Sequence, residues 1–373
     1  MWAAVSGLAL ALGPVIGGTI VGVWDWRGIF WFNLAFGAAA LVIGAVVLPE
    51  NSDPDAHRVD TAGTLIGAAA LATLVFAIID SETAGFGSPA VLALLCVSAV
   101  AVVAFVWQER RAAHPLLDLR LLRMPRFTTA NLAAFCVYFA TFAIFFFTAL
   151  YLEEVVGYSG YRIALVFLPM TVLMIATALL AGRWTDRSGP RWSITAGCLL
   201  FGAGLILTDG FLSPHPAYGP LMAALALAGA GIGTTVVPIT TSVLDAVPPE
   251  HSGMAASATS TSREIGAVTG VAVLGALVNA QLSSHLTGQL RHLGVPASFQ
   301  GIVINAVETG GVPSSGNTAG AGGAAGAGQE ALVQEVINAA YSAFHSGLQA
   351  ALYLSAGLVI AAGVLAALTL KHQ

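Results

Sequence analysis

Uncharged apolar stretches of about 20 residues follow one another along almost the whole chain, and the charges, prolines and glycine clusters gather in the short segments between them. A helix needs roughly 20 apolar residues to cross a hydrocarbon core about 30 Å thick. Each stretch therefore predicts a transmembrane helix. Cutting the pattern at its charged, proline and glycine-rich breaks predicts ten of them, over residues 2–23, 28–48, 62–80, 88–107, 127–152, 162–182, 192–209, 218–240, 253–281 and 346–370. The strands of a membrane barrel would be about half as long and would alternate in polarity. The fold class expected is an all-α polytopic membrane protein of about ten transmembrane helices.

The basic residues orient these helices, because cytoplasmic loops collect Arg and Lys. With ten spans, one side receives Arg58, Arg110, Arg111, Arg120, Arg123, Arg126, Arg183, Arg187, Arg191, Arg263 and Lys371, and the other only Arg27, Arg162 and Arg291. That asymmetry puts both termini in the cytoplasm of a multi-pass inner or plasma membrane protein. The composition agrees: 57% of residues are hydrophobic and 9% charged, against roughly a quarter charged in a soluble domain. With a net charge of -5 and its few cations scattered over loops, the chain carries no electrostatic footprint for nucleic acid. Cys96, Cys136 and Cys198 each lie inside an apolar run without a C-x-x-C pairing, so neither a disulfide framework nor a zinc site is expected.

Two connections are long. Residues 108–126, QERRAAHPLLDLRLLRMPR, interleave basic and apolar residues as a segment lying on the cytoplasmic surface between two bundles would. Residues 282–345 are expected to form a disordered external loop around the low-complexity stretch SSGNTAGAGGAAGAG, followed by a short amphipathic piece near EALVQEVINAAYSAF.

Candidate chemistry is sparse. In GPVIGG, Gly13 and Gly17 share one helix face and admit a close neighbour, Pro14 removes a helix hydrogen bond and bends the chain, and Gly18 extends the small surface. Packing alone accounts for such a helix. The loop AGRWTDRSGPRW places Asp186 among Arg183, Arg187 and Arg191, with Gly182 before it and Gly189 allowing a sharp turn. One acid among three bases suggests a switchable ion-pair network. On the fifth span Asn131, Phe135, Tyr138, Phe142 and Phe145 recur at helical spacing, a face that could line a cavity or simply pack. Thr234, Thr235 and Pro238 suggest a bend on the eighth span with polar groups to repair it. Arg263 and Glu264 read as a structural ion pair near a helix end. Asp80, Glu109, Glu153, Glu154, Asp209 and Asp245 fall at helix ends or in loops, so no carboxylate is expected near a midplane. Catalytic signatures such as G-x-S-x-G, H-E-x-x-H or a phosphate-binding Gly-Lys loop are missing from the sequence. An enzyme, a metal site or a bound cofactor is not expected.

GPVIGG, WDWRGIFWFN, PLLDLRLLRMPRF, GRWTDRSGPR and VPPEHSGMAASATSTSREIGAVTGVAVLG, in that order, resemble the major facilitator superfamily and within it the fourteen-helix drug:proton antiporters. GPVIGG is similar to the antiporter motif on that family's fifth helix, with Ala9 in place of a Gly four residues before Gly13, and GRWTDRSGPR to its G-x-L-a-D-R-x-G-r-R loop, with Trp184 in place of the usual Leu. The resemblance implies a transporter that exports small amphipathic substrates across the lipid bilayer by alternating access, driven by the proton gradient with no cofactor. The gating residues it implies are Gly13, Pro14, Gly17, Gly18, Gly182, Asp186, Arg187, Gly189, Arg191 and Arg263; the implied cavity residues are Asn131, Phe135, Tyr138, Phe142 and Phe145. It divides the chain into residues 1–48, the last two helices of an N-terminal bundle; 49–107, two extra linker helices; 108–126, the basic linker; and 127–370, a C-terminal six-helix bundle. Aligning the first span with the family's fifth helix leaves the first four helices, where coupling acids usually lie, unaccounted for. The alternative expectation is therefore a truncated, inactive fragment, or one that depends on a partner supplying the missing helices.

Overall fold

A computed structural model of the chain describes residues 12–13, 16–47, 60–112, 115–214, 216–292 and 327–370. Among these residues the fold is α-helical with short 3-10 turns, and nine helices are long and apolar enough to cross a membrane. They are α1 (Arg27–Val47), α2 (Thr61–Ala84), α3 (Pro89–Glu109), α4 (Pro125–Glu154), α5 (Gly160–Ser188), α6 (Pro190–Phe211), α7 (Tyr218–Leu244), α8 (Ser252–His292) and α9 (Ala327–Thr369). The predicted span 2–23 lies mostly outside the described residues, Pro14 with it; residues 16–23 are helical.

Helices α4 to α9 pack into one bundle whose axis of assembly is α7, in contact with α5 and α6 along much of its length. The sequence LAGAGIG explains this. A Cβ on Gly229 or Gly233 would run into the backbone carbonyl of Met170 or Met174 on α5, and one on Gly231 into the backbone of Phe201 on α6. Three glycines at alternate positions thus give α7 two opposite seams where backbones touch, the device that replaces hydrophobic driving force between helices in lipid. Thr177 seals one seam, its Oγ1 donating to the carbonyl of Ala230 at 3.1 Å. Gly266 and Gly270 do the same for α8, meeting the carbonyls of Phe135 and Phe139 on α4.

The chain before this bundle is looser. Helices α2 and α3 form a hairpin, capped by Asp60, which accepts from the N–H of Gly63 at 2.8 Å, and tied by Ser98, whose Oγ donates to the carbonyl of Ala70 at 3.0 Å. The pair leans on the bundle through α8. In α1 only Gly28 is buried, against Ile20 and Trp24. Residues 115–123 carry the chain into the bundle: Glu109 accepts from the N–H of Leu117 at 3.0 Å, and Leu121 and Phe127 are buried with Val243 and Ala255.

The connection expected over residues 282–345 is shorter than the sequence pattern suggested. α8 continues to His292 and α9 begins at Ala327, with 41 and 43 residues respectively. At 1.5 Å per residue each is about 60 Å long, twice the hydrocarbon thickness. Their projecting ends pair through Leu282, Leu286 and Leu290 against Ala339, Ala340 and Ala343, and Gln289 donates to Ser342 at 3.0 Å. The leucines recur every four residues within an otherwise polar segment, a period that makes one helical stripe but no membrane span. Residues 293–326, with the low-complexity stretch, lie outside the described residues.

Candidate functional site

Arg263, roughly 16 Å along α8 from its start, is a buried cation of the bundle interior. Its side chain reaches α7, where Nη2 donates to Thr240 Oγ1 at 2.7 Å, and α4, where the guanidinium sits 5.4 Å from the Tyr138 ring centre. The residue is 7% exposed, and its Nε is buried without a hydrogen-bond partner. The expected ion pair with Glu264 does not form: Glu264 is exposed. Adjacent residues on a helix point about 100° apart and cannot face one another.

About two turns before Tyr138 on α4, Asn131 donates to the carbonyl of Phe127 at 2.9 Å and accepts from Ser262 Oγ of α8 at 3.3 Å. The aromatic row of α4 runs on from there. Phe135 is half-buried and tilted on Phe139, Tyr138 is half-buried under Arg263, Phe145 stacks on Phe167 of α5 at 5.3 Å, and Phe142 is the exposed member. Tyr138 and Arg263 are thus held together, Asn131 meets the residue before Arg263, and Phe142 stands apart from them. The buried Nε leaves this guanidinium with one donor unpartnered beside the Tyr138 ring.

The loop motif is a turn and not a network. Gly189 has φ +76°, caps α5 by donating to the carbonyl of Thr185, and is followed at once by Pro190 as the first residue of α6. Gly182 faces Val237 of α7 at ordinary contact distance. Asp186, Arg183 and Arg187 are exposed, and among the described residues Asp186 makes no ion pair. Arg191, on the far side of the turn, lies over the Trp192 ring at 4.9 Å. Trp184 and Trp192 flank a surface groove of about 380 Å³ with Ser188, Thr195, Ala196 and Leu199. In the other motif Gly18 approaches the start of α5, where a Cβ would come within 3.0 Å of the Gly160 carbonyl, whereas Gly13 and Gly17 face open space.

Residues 1–271 match the profile of the Major Facilitator Superfamily. The chain belongs to that superfamily. It is 33% identical over 300 residues to the multidrug resistance protein Stp of Mycobacterium tuberculosis, a match covering 80% of this chain and 55% of that protein. The tetracenomycin C resistance and export protein of Streptomyces glaucescens is 27% identical over 377 residues, covering 100% of this chain and 68% of that one. Among solved structures, an inward-facing, occupied bacterial homologue of the human lysosomal transporter Spinster is similar with a TM-score of 0.48 and 17% identity, over 96% of this chain and 81% of that one. The chain spans about half the length of the first of these relatives. Two features of this superfamily member escaped the sequence pattern. The alternate glycines of LAGAGIG were a legible sign of backbone contact, since small residues repeat there at four-residue spacing. The burial of Asp209, 5% exposed, had no local sign at all.

Proposed function

We propose that this chain works in drug efflux, as a transporter of the fourteen-helix drug:proton antiporter kind that exports amphipathic compounds by alternating access. The observation that carries the reading is Arg263: a buried guanidinium with an unpartnered N–H, set against Tyr138 of α4, and without a carboxylate partner among the described residues. Charged groups at such depth are costly and functional by default. The site suits flat, largely apolar compounds that carry an acceptor oxygen, and the names of the two relatives, multidrug resistance and tetracenomycin C resistance and export, point the same way. On this reading the protein sits in the plasma membrane with the arginine-rich end of the bundle in the cytoplasm, the proton gradient supplies the energy, and no cofactor takes part.

The domain division follows the same reading. α1 belongs to an N-terminal bundle, α2 and α3 are the extra pair, and α4 to α9 are the C-terminal bundle; the hairpin of α2 and α3, leaning on α8 alone among the major contacts, supports it. Gly18 against Gly160 and the Gly189 turn with Asp186, Arg187 and Arg191 are the places where the two bundles would rock. The test is dye efflux from proteoliposomes holding this chain under an imposed pH gradient. Efflux that follows the gradient and is lost in Arg263→Met supports the reading; an equal leak with and without the gradient overturns it.

A further inference from the structure

Helices α5 and α6 meet at the Gly189 turn, and from there each packs on α7 far more than on the other. Their parting leaves the surface groove of about 380 Å³ between Trp184 and Trp192. Its walls face outwards, since Trp184, Trp192 and Leu199 are all exposed. Leu199 lies about 10 Å further along α6 than Trp192, so the groove runs from the turn into the apolar part of the span. Leu180, one turn below Trp184 on α5, is exposed as well and continues the apolar surface. Along the floor Thr195 is already engaged, its Oγ1 donating to the carbonyls of Arg191 at 2.8 Å and Gly363 at 3.1 Å. In a bilayer such a surface meets acyl chains.

The mouth of the groove is cationic. Arg183, Arg187 and Arg191 surround it against one acid, Asp186, and among the described residues none of the four makes an ion pair. Arg191 is the one tied to the groove: its guanidinium lies 4.9 Å from the centre of the Trp192 ring, and its Nε is buried with no hydrogen-bond partner. The first turn of α6 adds its positive pole, where Gly189 supplies no capping side chain. Two indoles at the end of a span suit the boundary between hydrocarbon and headgroups, because each joins an apolar body to one polar N–H. A free anion would leave the apolar walls unused. An uncharged apolar compound would leave Arg191 without an acceptor.

We infer that the groove between α5 and α6 binds a membrane phospholipid whose headgroup is net negative. Its phosphate accepts from Arg191 at the mouth, and one acyl chain lies between Trp184 and Trp192 towards Leu199. A zwitterionic phospholipid offers the same phosphate and chains but brings a cation among three arginines, so the mouth selects on the net charge of the headgroup. The bound lipid spans the last turn of α5 and the first turn of α6 and so braces the Gly189 turn between them. The inference requires the protein to sit in a bilayer; it does not depend on export or on the role given to Arg263.

The experiment reconstitutes the full chain in phosphatidylcholine vesicles doped with phosphatidylglycerol carrying brominated chains or, at the same fraction, with brominated phosphatidylcholine, and reads the quenching of tryptophan fluorescence. Phosphatidylglycerol is expected to quench in excess of phosphatidylcholine, and the excess to vanish when Trp184→Phe and Trp192→Phe are combined. Arg191→Gln should move the excess to about fivefold more phosphatidylglycerol, the worth of one cation beside an anionic membrane surface. Arg120→Gln, at an exposed arginine of the basic linker, should leave it where it was. Equal quenching by the two lipids, or an excess that survives the paired tryptophan substitution, overturns the inference. So do equal losses in Arg191→Gln and Arg120→Gln, because the basic end of the bundle would then gather acidic lipid without a site. An excess relieved by an efflux dye and untouched by unlabelled phosphatidylglycerol gives the groove to a substrate and overturns the lipid assignment.

Discussion

Arg263 and Asp209 are buried to almost the same degree, 7% and 5% exposed, in different parts of one helical bundle, and neither has a counter-ion among the described residues. The cation is anchored by a threonine hydroxyl and a ring face, the anion by one glutamine amide. Had these charges been structural, pairing them would have been the cheaper solution, because an unpaired buried charge costs several kcal/mol. Held apart, each keeps one polar atom without a partner, Nε of Arg263 and Oδ1 of Asp209. The comparison teaches that the bundle buries two unlike charges apart from each other and holds each with neutral partners from a different helix.

The largest way to break it is mechanical. Gly266→Leu would push α8 away from the Phe135 carbonyl and carry Arg263 with it; overpacking of this kind costs about 1–3 kcal/mol or more. We expect a fall in Tm in detergent together with loss of dye binding, while Gly253→Ala, where a Cβ meets nothing within 4 Å, should leave both intact. Next comes Arg263→Met. It should weaken binding of an oxygen-bearing dye about ten- to a hundredfold, the worth of roughly one charge-assisted hydrogen bond of 1.5–3 kcal/mol, with Tm kept or raised since a buried charge has gone. Asp209→Asn should leave that binding constant unchanged, so equal losses in both variants would erase the distinction between the sites.

Thr240→Val is a smaller step. It removes the acceptor for Nη2 without removing the charge, and a loss of about 1 kcal/mol, or some fivefold in dye affinity, is expected by titration. Smallest is Asp186→Asn. Because Asp186 is exposed and makes no ion pair among the described residues, Tm should not move; a change confined to efflux rate, with dye affinity constant, would assign it to the movement between states and not to stability.

Most of the fold was legible along the chain. The helices read as uncharged runs, the turn at Gly189 as Gly-Pro between two of them, and the face from Asn131 to Phe145 as one side of a helix at three- and four-residue spacing. What could not be read was the environment of single polar residues. Arg263 and Glu264 looked like partners because they are neighbours in sequence, yet a helix turns them apart and hands Arg263 to Thr240, 23 residues away. Segment 282–292 looked like loop because its leucines cover only a stripe, which suffices once Ala339 to Ala343 lie against it.

The sequence by itself determined which stretches are long and apolar enough to cross a membrane and which superfamily the chain belongs to, because hydropathy and turn chemistry act over a few residues at a time. The tertiary structure alone decided which glycines touch a backbone and which charges are buried. Both depend on what a distant segment brings: Gln349 reaches Asp209 across 140 residues, and no local pattern could tell an acid at a helix end in water from one sealed beneath α9.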